Sequence, residues 1–323
     1  MRPDARVLVL GGTGFVGRSV CERLLRRSGG VGRIRVPTRR LAHGRVLQPL
    51  PTIELVEADV HDPATLARLL AGCDAVVNLV AILHGRPAEF ARVHVELPRR
   101  LAAACAAAGV TRLVHVSALG VPDDPPAAPS NYLRSKAEGE AVLRSAGLAL
   151  TLLRPSVIFG AADRFLNLFA RLQAVFPIMP LAGAHARFQP VWVEDVAAAV
   201  VAALDQPASI GATYEAAGPG VYTLADLVRL AGRWSGHPRP VVPLPDPIGR
   251  LQAMLMALAP GEPLMSVDNL DSMKRPNVAS GLLPGLPALG IEPAALEAVA
   301  PLYLGRPPGR ARFGDFRAHA RRG

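Results

Sequence analysis

The sequence predicts an α/β fold, a doubly wound parallel sheet with a smaller C-terminal lobe. Three observations carry that prediction. Short apolar, β-rich runs alternate with helix-length segments through the first half of the 323-residue chain, and strands buried on both faces and joined by helices build a parallel sheet. A glycine-rich turn ends the first run and opens the first helix. After about residue 160 the alternation loosens, and Pro-rich stretches at 238–247 and 284–293 break the chain into short helices and loops.

In chain order, the predicted strands are Arg6–Leu10, Ile34–Pro37, Ile53–Glu57, Ala75–Val80, Arg112–Ser117 and Ala149–Arg154. Between them Gly17–Ser28, Pro63–Ala71, Glu89–Ala108 and Tyr132–Ser145 are long enough to be crossover helices. Residues 1–225 are expected to form the nucleotide-binding domain, with 161–189 contributing to the substrate lobe. Residues 226–305 form the small substrate or partner lobe, and 306–323 a basic, disordered tail. Within the lobe, 248–259 reads as an apolar helix whose face is packing surface, with membrane or partner docking as the alternative.

The first strand runs into Gly11-Gly12-Thr13-Gly14-Phe15-Val16-Gly17. Glycines at this spacing permit a tight turn, close approach of a pyrophosphate to the backbone, and close helix-to-strand packing. The following helix N-terminus offers free N–H groups and a positive dipole end. Gly11, Thr13, Gly14, Phe15, Val16 and Gly17 are therefore the expected cradle of a dinucleotide, in a Rossmann-type sheet. The second strand addresses the ribose. No acidic residue stands between Glu22 and Glu54; the strand opens instead onto Thr38-Arg39-Arg40. Two guanidiniums suit a 2′-phosphate, so NADP(H) is expected in preference to NAD(H). Asp59 and Val60, after the third strand, are placed to meet the adenine. Asn78, Leu79, Val80 and Ala81, after the fourth, are placed to line the cofactor.

Tyr132 and Lys136 stand four apart, on one face of a helix. A neighbouring cation favours the ionised phenol and is expected to lower its pKa. Ser117, ending the fifth strand, can hydrogen-bond a substrate oxygen. Four tyrosines and two lysines in 323 positions produce roughly 0.025 such pairs by chance. An ordinary surface Tyr and Lys is the alternative.

These residues, with Arg154-Pro155-Ser156-Val157-Ile158-Phe159-Gly160, resemble the short-chain dehydrogenase/reductase superfamily, in its extended or atypical NAD(P)-dependent epimerase/dehydratase form, over about residues 5–225. The resemblance implies that Lys136 also holds the nicotinamide ribose and that Pro155, Ser156, Val157 and Ile158 border the nicotinamide. Residues 154–172, 188–200 and 265–280, with Pro37-Thr38-Arg39-Arg40, are closer still to the NAD(P)H-binding accessory subunit family of respiratory complex I and its bacterial relatives, to about residue 305. That likeness implies a respiratory-chain or membrane-peripheral partner. Two places depart from the extended pattern. Val93-His94-Val95 stands where an Asn is usual, and the fifth strand ends HVSALG. His94 is read as a packing histidine, with a proton-relay role as the alternative.

Composition bounds the rest. The net charge is +10, but only Lys136 and Lys274 are lysines among 36 basic residues. This arginine preference reads as codon usage rather than a nucleic-acid surface, and the charge concentrates at 18–45 and in the tail. No aromatic stacking platform accompanies it, so no nucleic-acid partner is expected. Cys21, Cys73 and Cys105 lie far apart and suit a reducing compartment, with no metal site expected. Neither a spanning segment nor a convincing signal peptide is visible, so a cytoplasmic protein is expected, peripheral at most to the inner face of the membrane. Two functions follow. One is an oxidoreductase or epimerase-type enzyme using Ser117, Tyr132 and Lys136 on an unidentified carbonyl, sugar-nucleotide or quinone-related substrate. The other is a non-catalytic protein holding NADPH for assembly or redox sensing near complex I. Lobe residues Phe165, Phe169, Gln189 and Trp192 either face the substrate or pack.

Overall fold

The computed structural model describes residues 1–257 and 264–305. Strand β1 (Arg6–Leu10) leads into α1 (Phe15–Ser28), followed by β2 (Arg33–Thr38), β3 (Ile53–Glu57), α2 (Pro63–Leu70), β4 (Ala75–Asn78), α3 (Pro87–Ala91), α4 (Leu97–Ala108), β5 (Arg112–Val116), α5 (Asn131–Arg144) and β6 (Ala149–Pro155). Next come β7 (Ile158–Phe159), α6 (Leu166–Val175), β8 (Met179–Leu181), β9 (Arg187–Phe188), β10 (Val191–Trp192), α7 (Val193–Asp205) and β11 (Thr213–Ala216). The C-terminal part adds β12 (Tyr222–Thr223), α8 (Leu224–Trp234), β13 (Val241–Pro243), α9 (Asp246–Ala257), α10 (Val267–Ser272) and α11 (Leu296–Leu304).

Seven strands form one sheet in the order β11-β6-β5-β4-β1-β2-β3, and every neighbouring pair is parallel. Alternate residues of each strand serve opposite faces. Val7 and Val9 of β1, with Val77 and Val114, pack under Val20 and Leu24 of α1 and Val196 and Val200 of α7. Leu8 and Leu10, with Val76, Leu113 and Leu152, pack against Leu66 and Leu70 of α2, Leu101 of α4 and Leu143 of α5. This two-sided burial is why the strands read as nearly unbroken apolar runs. The chain winds one way from β1 through β3 and the other way from β4, so the order reverses between β1 and β4. In such sheets the crevice at the carboxyl ends beside that reversal receives the ligand.

Three departures from the sequence reading have local causes. The fourth strand stops at Asn78 rather than Val80, because the Asn78 side chain accepts the Val80 N–H (3.2 Å) and turns the chain out of the sheet. The helix expected over 89–108 is interrupted by a π-helical turn at Arg92–Glu96. There the His94 carbonyl lies so close to Gly139 of α5 that a Cβ at 139 would be 1.9 Å from it. The reading of helix 248–259 as packing surface is corrected over α9. Its small residues face inward, Ala253 being fully buried and Gly249 lying against Ala182, while Ile248, Leu251, Met254 and Leu255 are 53–61% exposed. Apolar spacing does not say which face turns inward. Leu258 and Ala259 of that helix, and the predicted tail at 306–323, lie outside the described residues. Among the described residues, no helix is long and apolar enough to cross a membrane.

Candidate functional site

The glycine turn after β1 lies at the sheet reversal. Gly11 takes φ +79° and packs so tightly on the chain after β4 that a Cβ would sit 3.2 Å from the Leu79 carbonyl carbon. Gly17, in the first turn of α1, leaves no room for a side chain: a Cβ would lie 2.3 Å from the Gly11 carbonyl oxygen. Gly14 is the N-cap of α1, with no side chain closing the helix end and no acidic residue in the first turn. Thr13 is half-buried and its carbonyl accepts the Arg18 Nε–H (3.1 Å). Phe15 lies against Gly160, and Val16 packs on the core beneath. The Gly12 and Gly14 N–H groups are used within the turn, by Val9 (3.3 Å) and Gly11 (3.0 Å), while the first N–H groups of α1 have no intrahelical acceptor.

Across the reversal, Asn78 ties two elements together. Its Oδ1 accepts from Val80, and its Nδ2 donates to Nδ1 of His115 on β5 (3.1 Å). Leu79 donates its N–H to Leu10 (3.0 Å), Leu79 and Val80 are half-buried, and Ala81 is exposed. At the other end, Arg39 and Arg40 are exposed, and neither has a carboxylate partner among the described residues. Their turn is held by the Thr38 hydroxyl, which donates to the Arg40 carbonyl (3.0 Å). Asp59 is exposed and accepts the His61 N–H (2.9 Å), while Val60 packs partly on the core.

Tyr132 and Lys136 both lie on α5, as the spacing predicts. Lys136 is 2% exposed and donates to the Val116 carbonyl (3.3 Å), the residue before Ser117. Burial pushes its ammonium down to about 8, against an opposing pull from Glu140 one turn on. The expected lowering of the Tyr132 pKa is not found. Burial pushes the phenol up to about 12, because the ring sits edge-on between Phe90 and His94 at 6.1 and 5.6 Å. Ser117 completes the group: its Oγ is buried with no hydrogen-bond partner among the described residues, while its N–H bonds Leu153 (2.7 Å). A buried, unsatisfied hydroxyl is costly and rare, and this one lies at the carboxyl end of a central strand.

His94 is spoken for at both nitrogens. Its Nε2 accepts the Ile82 N–H (3.2 Å), so Nδ1 carries the proton and lies 2.9 Å from Ser135 Oγ, which donates to the Tyr132 carbonyl (2.9 Å). Burial first, then the nearby Lys136 and His115, hold its pKa at about 2. His115 is likewise held at about 3, by burial and then Lys136. Both imidazoles are neutral at pH 7, and His94 pins the chain after β4 to the tyrosine helix.

The loop after β6 is built partly from distant residues that sequence reading missed. The Pro155 carbonyl accepts the Leu119 N–H (2.9 Å) and Ile158 pairs with Val191. The Ser156 hydroxyl is used within the protein, donating to Asn277 Oδ1 (2.7 Å), which also accepts the Val157 N–H (2.9 Å). Asp268 of α10 accepts the N–H groups of Asn131 (2.8 Å) and Tyr132 (3.1 Å), closing the start of α5. Ser266 and Asn269 form a capping box, which was a legible sign of a helix start at this point. Its partners, more than a hundred residues away, were not legible. Phe165, Phe169 and Trp192 pack in a third apolar cluster with Leu166, Leu181 and Leu227. Gln189 donates to the Gly218 carbonyl (2.7 Å) and accepts the Ala279 N–H (2.9 Å). In this structure all four pack or brace.

The cradle at the reversal, the uncapped helix start and the unsatisfied Ser117 together fit a bound dinucleotide. Known proteins agree. The profile of the NAD dependent epimerase/dehydratase family matches residues 7–217. The mouse mitochondrial protein NADH dehydrogenase [ubiquinone] 1 alpha subcomplex subunit 9 is 33% identical over 296 residues, 90% of this chain and 77% of the mouse protein. Ceramide reductase of Caulobacter vibrioides is 33% identical over 251 residues, 76% of each chain. In architecture, the Escherichia coli NADPH-dependent quinone oxidoreductase complexed with NADPH superposes with a TM-score of 0.74 at 23% identity, over 92% of this chain and 99% of that one. With its parallel seven-stranded sheet, glycine cradle and relatives, the chain belongs to the NAD dependent epimerase/dehydratase family.

Proposed function

We propose that the protein is an NADP(H)-dependent oxidoreductase of the short-chain dehydrogenase type, acting on a carbonyl, sugar-nucleotide or quinone-related substrate. The observation that carries this reading is the buried, unpartnered Ser117 hydroxyl at the crevice end of the sheet, next in the chain to Val116, whose carbonyl accepts from the Lys136 ammonium. Bound NADPH supplies a hydride. Ser117 donates a hydrogen bond to the substrate carbonyl oxygen, and Tyr132 gives that oxygen its phenolic proton, so that the carbonyl becomes an alcohol. The positive charge of Lys136 stabilises the phenolate left behind until it is reprotonated from solvent. With the phenol near 12 and the ammonium near 8, both carry their protons at pH 7. That state is the acid form that reduction needs. Gly11, Thr13, Gly14, Phe15, Val16 and Gly17 hold the pyrophosphate, and Arg39 and Arg40 the 2′-phosphate. Asp59 and Val60 face the adenine. Leu79, Val80 and Ala81, with Pro155, Ser156, Val157 and Ile158, line the nicotinamide half.

The test is Tyr132→Phe beside wild type, across a panel of carbonyls and quinones. A general acid contributes about a hundredfold or more, so NADPH-dependent turnover should fall by at least that factor while NADPH binding stays within about twofold. Tight NADPH with no turnover by the wild type on any substrate would sink the catalytic reading. It would favour the second one, an NADPH-holding protein on a respiratory-chain or membrane-peripheral partner. That reading has its own support in the relatives from complex I and in the exposed apolar face of α9.

A further inference from the structure

His94 stands on the π-helical turn at Arg92–Glu96, a local widening of the helix that is frequent at functional sites. The turn presses its backbone into α5, where the His94 carbonyl fills the space that a side chain at Gly139 would need. From there the imidazole, which is 3% exposed, bonds in two directions. Nε2 accepts from Ile82, in the chain after β4 (3.2 Å). Nδ1 donates to the Ser135 hydroxyl (2.9 Å), which donates in turn to the carbonyl of Tyr132 (2.9 Å). An unbroken run of three hydrogen bonds thus joins that chain to the backbone of the residue that carries the phenol. The ring also holds the phenol from the side, stacking on Phe90 at 5.7 Å and meeting Tyr132 edge-on at 5.6 Å. An apolar ring would serve packing alone, because a buried imidazole is costly unless its nitrogens are bonded. Here both are bonded, and neither is left to relay a proton.

We propose that His94 is a positioning residue for the reduction: by bracing the tyrosine helix against the chain after β4, it sets the phenol of Tyr132 in register with the nicotinamide half of the crevice. The inference rests on the oxidoreductase reading above and adds to it the residue through which the acid is aligned. Misplacing a reacting group by about an ångström can cost about a hundredfold. The role of His94 therefore shows in kcat rather than in nucleotide binding.

The experiment compares wild type, His94→Asn, His94→Gln and Ser135→Ala, each alone and combined with Tyr132→Phe. NADPH affinity is read by nucleotide fluorescence, and kcat and KM on the carbonyl and quinone panel, phenanthrenequinone first. Asn reproduces the Nδ1 donor but is too short to accept from Ile82; Gln reproduces the Nε2 acceptor but leaves Ser135 without its donor. Each should lower kcat about ten- to a hundredfold while NADPH Kd and KM stay within about twofold. In the Tyr132→Phe background the same changes should cost under about twofold, because a group acting through the phenol then has nothing to position. Ser135→Ala leaves the imidazole in place and carries the same expectation if a His94 variant does not fold. Without nucleotide, nitrogen-15 NMR should show a neutral, Nδ1-protonated histidine at about pH 5 that is absent from His94→Asn. An undiminished loss in the Tyr132→Phe background, a matching loss of NADPH binding, or the absence of that NMR signal overturns the proposal. If Tyr132→Phe loses turnover and the His94 and Ser135 variants do not, the proposal falls while the oxidoreductase reading stands. A wild type that reduces nothing in the panel, or a fully active Tyr132→Phe, overturns both.

Discussion

In a Lys136→Met variant, an apolar side chain of similar length replaces an ammonium that is 2% exposed. The folded protein holds that ammonium at about 8, against 10.5 when it is freely solvated. Below pH 8 both folded and unfolded chains carry the proton, and the full burial cost is felt. Between pH 8 and 10.5 the unfolded chain keeps a proton that the folded chain has lost, so stability rises with pH. The displacement corresponds to about 3 kcal/mol. Methionine also loses the hydrogen bond to Val116, worth about 1 kcal/mol, leaving a net gain of about 2 kcal/mol at pH 7. For a chain of this size that is about 3 °C in Tm. Thermal unfolding without nucleotide should therefore show Lys136→Met melting above wild type at pH 7, with the gap closing or reversing by pH 10. A variant less stable than wild type at pH 7, or a gap that does not change with pH, would refute the reasoning. Such a gain from deleting a residue marks a side chain kept for chemistry rather than for folding.

Two further substitutions test the framework around the site. Gly17→Ala places a methyl 2.3 Å from the Gly11 carbonyl oxygen, between backbone segments that cannot yield cheaply; NADPH binding should be lost or the soluble yield collapse, whereas wild-type behaviour would show that the turn can relax. Arg154→Ala strips Glu140 of its bidentate partner, at 2.9 and 2.7 Å in a buried setting. Urea unfolding should show a loss of about 3–5 kcal/mol, largely recovered by Arg154→Met with Glu140→Gln, and a loss under about 1 kcal/mol would contradict the buried-pair account.

Much of the molecule was legible because its signals are local. The runs that became β1 and β3 have the bounds read from the sequence: β1 because a strand buried on both faces is apolar throughout, and β3, at the sheet edge, because Ile53, Leu55 and Val56 form a short β-branched and apolar run between turns. The glycine turn and the four-residue spacing of Tyr132 and Lys136 were legible for the same reason: a turn type and a helix period are properties of a few consecutive residues. The sequence reading erred where environment rather than order decides. Proximity of Lys136 suggested an acidified phenol, but burial raises its pKa instead. The face of α9 that turns outward could not be told from periodicity alone.

Residue order therefore determined the parallel sheet, the glycine turn at its reversal and the spacing that puts Tyr132 and Lys136 on one helix, because each depends on near neighbours. Tertiary structure alone decided that Asn277 would hold the loop after β6 and that Asp268 would close the tyrosine helix. Hydrogen bonding and desolvation act through space. Their partners are chosen by which chain segments the packed core brings within a few ångströms, and no separation along the sequence encodes that.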